Sequence, residues 1–277
     1  MTDLRPADGP GTTASRHHST LSSVRNAARL LKEFSGTSRE LGVSELSRRL
    51  DLSKSTTHRL LSTLTDERLL EQDADTGAYR LGLAIYELGA TVSVHMALHD
   101  AADPVIDSLR AATRETVQVA VLDGREVVFV ERRVSPQALR LLGPIAHRAD
   151  AHCTSSGKLL LAYLRAASLD AVLDGWALPH TTPHTIHDAA ALRADLAAIR
   201  HRGWAEDANE SALGIASIAA PIRSDIGEVV AAVSVSAPIQ RMTQDSLTRF
   251  ARPAVEAGLA ISRRLGYRDT TTGRSGA

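Results

Sequence analysis

Five polar side chains on one short segment hold the clearest chemistry in this chain. Lys54, Ser55, His58, Arg59 and Ser62 recur at the spacing that places them on one face of an α-helix, with Thr56 on its shoulder. Cations, an imidazole and short hydroxyls in that arrangement can enter a major groove and reach phosphates or base edges. Thr57, Leu60, Leu61 and Leu64 follow at i, i+3, i+4 and i+7, a stripe that faces a core. A helix packed all round would not leave Lys54, His58 and Arg59 together on one side.

The flanking residues supply what such a helix needs. Before it, Ser44 can cap a helix whose apolar stripe is Leu46 and Leu50. Asp51, Leu52 and Ser53 make a tight turn, and Ser53 is placed to cap the second helix. After Leu70, residues Glu71 to Arg80 read as two short strands joined by Asp75-Thr76-Gly77. Two short helices and a tight turn occur in many cores. The hairpin and the polar outer face turn the pattern into a winged helix-turn-helix, with Thr76, Tyr79 and Arg80 as wing contacts to the DNA backbone or minor groove. A further helix, about Ser22 to Phe34, should point Val24, Ala27, Ala28, Leu31 and Phe34 inward, and Gly36 and Gly42 bracket the next loop.

The whole chain sets bounds. Its 277 residues are enough for two domains with cores, and 43% hydrophobic content suits a globular protein. No apolar run approaches the ~20 residues of a membrane span, and no apolar signal core stands at the N-terminus. The single cysteine, Cys153, forbids an intrachain disulfide and fits a reducing cytoplasm. Formal net charge is zero. Residues 21–82 carry ten Lys and Arg against nine Asp and Glu, a net of +1. That argues against strong non-specific DNA binding but not against specific binding by a dimer.

Beyond the hairpin the pattern changes. Leu83 to about Leu98 is a mostly apolar helix that needs a partner, and a second helix over Ala101–Thr113 has Pro104 in its first turn. Period-two strands follow: Val117–Leu122 and Val127–Glu131 around Asp123-Gly124, then Gln137–Leu142. Helices are expected over Gly157–Arg165, over Asp188–Arg202 and from Gln244 to Leu265. Strands Ser217–Ile222 and Val229–Ser236 flank a turn at 225–227. Helices beside an antiparallel sheet make this half α+β.

Other constellations fail on their companions. Ser155-x-x-Lys158 matches a serine-hydrolase nucleophile motif whose S-D-N and K-T-G partners are missing. Gly157-Lys158 is no P-loop, because His152 stands where its first glycine belongs. His180, His184, His187 and Asp188 could hold zinc on paper, but Pro179 and Pro183 break the helix that would align them. No catalytic residue, metal or cofactor is expected.

With a winged helix, an apolar linker helix and an α+β half in this order, the chain resembles the IclR family of bacterial transcriptional regulators over about residues 21–266. The resemblance rests on LSSVRNAARLLKEF, LSKSTTHRLLSTL and YRLGLAIYELG in the first half. In the second it rests on HCTSSGKLLLAYL, GWAEDANESALGIASIAAPI and GEVVAAVSVSAP. It implies a tail (1–20), a DNA-binding domain (21–82), a linker and dimerisation helix (83–99), a GAF-like α+β effector-binding domain (100–267) and a tail (268–277). It further implies a homodimer or homotetramer on double-stranded operator DNA, more often a repressor, of a nearby catabolic operon. The effector would be a small organic acid, aromatic or α-keto.

The family's effector positions fall on Ser155, Ser156, Asp207, Ser217, Ser234 and Ser236, with Leu141, Ala149 and Ile215 as apolar walls. The residues themselves are compatible with this. Ser155 and Ser156 precede a helix start, where free N–H groups favour a carboxylate. Ser234 and Ser236, two apart on a strand, share a face. Asp207 can accept from a ligand hydroxyl or fix a serine. The same serines could instead satisfy local backbone groups. Two positions depart from the family pattern: Asp150 replaces a usual proline, and Ser217 an often-found cysteine. Cys153 reads as a small buried apolar residue. Two rival readings stay open: a small-molecule-binding protein whose winged helix contacts protein, and an organic-acid enzyme.

Overall fold

The computed structural model describes residues 21–35, 40–90, 93–138, 147–243 and 247–268. Leu141, residues 139–142 of the expected strand, Gly36, the N-terminal tail and all of the C-terminal tail but Arg268 fall outside them. The chain forms two compact units, divided between Glu87 and Leu88.

In the first unit, α1 (Ser22–Lys32), α2 (Val43–Leu50) and α3 (Lys54–Asp66) precede β1 (Leu70–Gln72) and β2 (Tyr79–Leu81). Asp51 ends α2 in the left-handed region (φ 54°), and Ser53 accepts from Thr56 N at 3.1 Å to start α3. Ser47 Oγ donates to Leu52 O (2.6 Å), and Arg29 reaches the α2 terminus at Leu50 O (3.1 Å). The turn is therefore tied from both sides. Leu30, Phe34, Leu46, Leu50, Leu61 and Leu64 form the core, with Thr57 fully buried beneath α3. The inward stripe of α1 is rotated from its expected position. Leu30 is buried, whereas Val24 is 62% exposed and Ala28 is exposed, because Ala27, Leu30, Leu31 and Phe34 give the stripe that reaches this core.

The wing pairs Leu70 with Leu81, Glu71 with Arg80 and Gln72 with Tyr79. Leu41 adds a third strand's worth of pairing: it exchanges backbone hydrogen bonds with Tyr79 at 3.0 and 2.9 Å. Gly77 turns the hairpin at φ +67°, a conformation L side chains rarely adopt. Asp73, which the sequence pattern did not single out, accepts from Asp75 N, Thr76 N and Thr76 Oγ1. These bonds hold its carboxyl below the usual range.

α4 (Leu83–Ala90) leads to the second unit. The expected break near residue 100 is absent: α5 is one helix, Ser93–Thr113, with Pro104 in its interior. An interior proline costs about 3 kcal/mol. Here the continuous buried stripe of Leu98, Ala101, Ala102, Ile106 and Leu109 opposes that cost. β3 (Thr116–Asp123), β4 (Glu126–Arg133), β5 (Arg148–Asp150), β6 (Ala205–Ala208), β7 (Ile215–Arg223) and β8 (Val229–Pro238) form an antiparallel sheet in the order β5-β4-β3-β8-β7-β6. The short edge strands β5 and β6 were not foreseen, and Pro136–Ala138 trace a bend instead of a strand.

Alternation sorts each strand's residues to two faces. Val117, Val119, Ile218, Val233 and Val235 meet α5 and α9 (Leu247–Arg264). Ala120, Ala205, Ala219 and Ala232 meet α6 (Ser155–Tyr163) and α8 (Ala189–Arg202), with the unforeseen α7 (Ala166–Leu173) alongside. α6 starts two residues before the expected position, because Thr154 caps it by accepting from Gly157 N at 3.1 Å. Asp188 caps α8 through Ala191 N (2.7 Å).

Gly157 has no room for a side chain: a Cβ there would lie 2.3 Å from Ala151 Cα and O. Gly157→Ala is expected to lower the stability of the larger unit by about 1–3 kcal/mol, because backbone must move. Urea denaturation of the full chain checks this; an unchanged midpoint for that unit's transition would contradict the packing argument.

Candidate functional site

The outer face of α3 is open. Ser53, Lys54, Ser55, Thr56, His58, Arg59 and Ser62 are all exposed. Among the described residues, neither Lys54, His58 nor Arg59 has an acidic partner. Other cations of this unit do: Arg49 meets Glu45 and Glu33, and Arg80 meets Glu71 (3.1 Å) and Glu40 (3.9 Å). Four of the segment's acids thus sit beside Arg49 and Arg80, away from the outer face of α3, where Lys54 and Arg59 have none. Thr76 lies exposed at the wing tip, its hydroxyl donated to Asp73. Tyr79 must be removed from the contact set. It is 3% exposed, packed in the core of the first unit, and its backbone is committed to Leu41.

In the second unit one cavity of about 370 Å³ opens between the α6 N-terminus and the sheet. Ser155 and Ser156 line it from α6, and Asp207, Ser217, Ser234 and Ser236 line it from β6, β7 and β8. Ala149 and Ile215 supply apolar wall. The structure therefore brings together every described position of the expected effector set. Strand register explains why. Arg132, Gln118 and Ser234 are cross-strand neighbours in one transverse row; Ser236, Ser217 and Asp207 form the next. Both rows lie on the face whose other half is the alanine floor beneath α6.

Ser155 Oγ and Ser217 Oγ are 2.7 Å apart. Asp207 is saturated from within: Glu210 N (2.8 Å), Ser211 N (3.3 Å) and Ser211 Oγ (2.5 Å) donate to it. Burial nonetheless raises its pKa. Ser156 Oγ and Ser234 Oγ, each on a residue only 1% exposed, have no hydrogen-bond partner among the described residues. Such groups are costly to bury unless something occupies the cavity with them. Sequence patterning missed six lining residues: Gln118, Phe129, Arg132, His147, Thr154 and Ser211. Alternation gave no signal for Gln118, which stands on the face opposite Val117 and Val119 and reads in a single strand as outward-facing. His147 stacks on Phe129 with ring centroids 4.3 Å apart.

Beside the cavity lies a buried ion cluster. Lys158 Nζ, one turn into α6, is 2.6 Å from Glu210 Oε1 and 2.9 Å from Asp195 Oδ2 on α8. Burial alone would lower the lysine's pKa, but the two carboxylates outweigh it and keep the ammonium protonated. Burial pushes Glu210 up to about 7, despite Lys158. Lys158 thus serves as a brace rather than a general base. Cys153 is buried and its thiol is pushed up to about 12, chiefly by desolvation, so it is no reactive thiolate. Among the described residues no group of three or more His, Cys, Asp or Glu could hold a metal, and no helix is long and apolar enough to cross a membrane.

A helix-turn-helix with a wing, followed by an α+β unit with a polar cavity, is the arrangement of a DNA-binding regulator. Comparison with known proteins gives the family. Residues 23–74 match the IclR helix-turn-helix domain, and residues 90–263 match the bacterial transcriptional regulator IclR C-terminal domain. The chain is 34% identical to the HTH-type transcriptional regulator XynR of Escherichia coli over 89% of its length and 98% of that protein's. It is 30% identical to the HTH-type transcriptional repressor AllR of E. coli, over 97% of this chain and 99% of that one. An IclR homolog from Microbacterium hydrocarbonoxydans, solved as a complex with 4-hydroxybenzoate, superposes with a TM-score of 0.77 at 32% identity, over 88% of this chain and 99% of that one. The Thermotoga maritima IclR gives 0.70 at 27%, over 88% and 99%. The chain belongs to the IclR family and is a DNA-binding transcriptional regulator, not an enzyme.

A carboxyl whose folded pKa exceeds its unfolded value binds its proton more tightly in the native state. Its stabilising contribution is full below the unfolded pKa and is lost as pH rises through the folded one. Glu210 acts this way between its ordinary 4.5 and about 7, and Asp207 in the same direction. His152, whose pKa burial lowers, opposes them by favouring the fold as pH rises. Glu210→Gln is expected to remove a downward component from the pH dependence of the larger unit's melting temperature in that window. Scanning calorimetry of both proteins tests it, and parallel pH profiles would count against the assignment.

Proposed function

We propose that this regulator is a repressor whose grip on operator DNA is set by a small organic acid in the α6 cavity. The observation that carries the DNA reading is the set of uncommitted cations on the exposed face of α3. In this reading Lys54, His58 and Arg59 contact phosphates and base edges. Ser53, Ser55, Thr56 and Ser62 add hydroxyl donors, and Thr76 and Arg80 of the wing touch the backbone or minor groove. Repression is favoured by the likeness to a relative named as a repressor. An acid effector is favoured by the α6 N-terminus and its two unpartnered hydroxyls, and by a structural neighbour solved with 4-hydroxybenzoate.

The active form is a homodimer or homotetramer in the cytoplasm. Exposed Leu83 (65%), Tyr86 (72%) and Leu88 (59%) on α4 favour a second copy of the chain as their cover. Paired heads would read half-sites about one helical turn apart or a multiple of it. The effector acts only through different affinities for the DNA-bound and free arrangements. A nearby catabolic operon is the expected target.

Fluorescence anisotropy on duplex DNA from upstream of the protein's own gene, against a scrambled duplex at two salt concentrations, tests this directly. Preferential, salt-sensitive binding is expected, and equal affinity for both duplexes would oppose it. Arg59→Ala should weaken operator binding by about 1–3 kcal/mol and relax the preference at one base pair. Unchanged affinity would remove Arg59 from the base-reading set.

A further inference from the structure

We infer that Gln118, beside Ser234, forms a hydroxyl-binding corner of the α6 cavity, and that the effector is an acid with a hydroxyl at the end remote from its carboxylate. The inference rests on the acid-effector reading above and adds the ligand's class and a residue that selects it.

Three polar side chains lining the cavity are buried and unpartnered among the described residues. Gln118 is 5% exposed, and Ser156 and Ser234 are each 1% exposed. No described group bonds to the Gln118 carboxamide or to either hydroxyl. Arg132, next to Gln118 in the row, differs in being engaged within the protein. Gln118 and Ser234 are direct partners across β3 and β8, so their side chains leave the sheet side by side, with Cβ atoms about 5 Å apart. Neither is charged. The carboxamide offers an acceptor and two donors, and the hydroxyl both gives and takes. A ligand hydroxyl can therefore donate to the Gln118 carbonyl while it accepts from Ser234 or from the carboxamide N–H. A carboxylate has no hydrogen to give and leaves that carbonyl unmatched.

Strand register sets where on the ligand that hydroxyl lies. The carboxylate end is the start of α6, where Ser156 supplies its unpartnered hydroxyl and Ser155 Oγ lies 2.7 Å from Ser217 Oγ on β7. From Ser217, Gln118 is two strands across, past β8, and one row along. At about 4.8 Å per strand and about 3.4 Å per residue, the two backbone positions are roughly 12 Å apart. Both side chains line the same cavity and close part of that gap. A hydroxyl on the carbon beside the carboxylate stays at the α6 end, whereas one at the far end of the molecule meets the corner. An acid that lacks it would leave Gln118 and Ser234 desolvated against carbon.

The test is isothermal calorimetry on the full chain with matched probes. The pairs are 4-hydroxybenzoate with benzoate and 6-hydroxyhexanoate with hexanoate. The control is 2-hydroxybenzoate, whose hydroxyl sits beside the carboxylate. In at least one pair the hydroxylated acid should bind about tenfold or more tighter than its counterpart, and 2-hydroxybenzoate should gain less than about threefold over benzoate. Gln118→Met should abolish the ratio while leaving benzoate and hexanoate affinity within about threefold, and Ser234→Ala should reduce it. Circular dichroism reports that each variant is folded. If Gln118→Met fails to fold, the wild-type ratio and Ser234→Ala decide. Equal binding within both pairs by the wild type, an equal gain from 2-hydroxybenzoate, or a ratio that survives Gln118→Met would overturn the role of Gln118 and leave the acid-effector site standing. Binding of no probe would overturn both.

Discussion

The seating of α6 on the sheet is the constraint from which the second unit's chemistry follows. The sheet face beneath it is floored by Ala120, Ala205, Ala219 and Ala232, and Gly157 meets the Ala151 backbone at a distance that excludes any side chain. Small residues on both sides let the helix approach closely and bury Leu159 and Leu161. That depth brings the first turn of α6 level with the polar rows on β3, β8 and β7. A side chain at Gly157 would collide with the Ala151 backbone and force the helix away from it.

Close seating alone would not hold the segment that follows β6. Lys158, fixed by the same helix, reaches Glu210 and Asp195 and so ties α6, α8 and that segment together. Thr182 and Thr185 add hydroxyl donors to the Glu210 carbonyl at 3.4 and 2.7 Å. Asp207, its oxygens filled by Glu210 and Ser211, turns inward as a structural acid of the cavity wall. A buried ion cluster is weak evidence for stability, since desolvation offsets much of its attraction. Its contribution here is geometric: it fixes the rim of the cavity without occupying it.

Which parts of this were legible in the sequence depends on the range of the interactions involved. α3 was legible because its two faces differ at helical spacing and Ser53 caps it locally. The β3–β4 and β7–β8 hairpins were legible for the same local reason. α5 was misjudged because Pro104 signals a helix start, whereas a long buried stripe keeps the helix intact through it. Tyr79 was misassigned because the Leu41 pairing that turns it into a core residue spans nearly forty positions. The polar rows were half legible. Ser234 and Ser236 declare a shared face within one strand, but their alignment with Gln118, Arg132, Ser217 and Asp207 is set by cross-strand register, which a single sequence does not display.

The charge of the first unit carries a related lesson. A net of +1 over residues 21–82 looks unpromising for a DNA-binding surface. The sum, however, counts acids that sit beside other cations. Glu33 and Glu45 attend Arg49, and Glu40 and Glu71 attend Arg80. Lys54 and Arg59, with no acidic partner among the described residues, are the cations on the outer face of α3, set among the His58 imidazole and short hydroxyls. A surface of this kind offers few phosphate contacts per head, so non-specific affinity is small. Useful affinity must then come from base-edge geometry. The weak overall charge therefore belongs to an arrangement in which discrimination among DNA sequences is favoured over attraction to DNA in general.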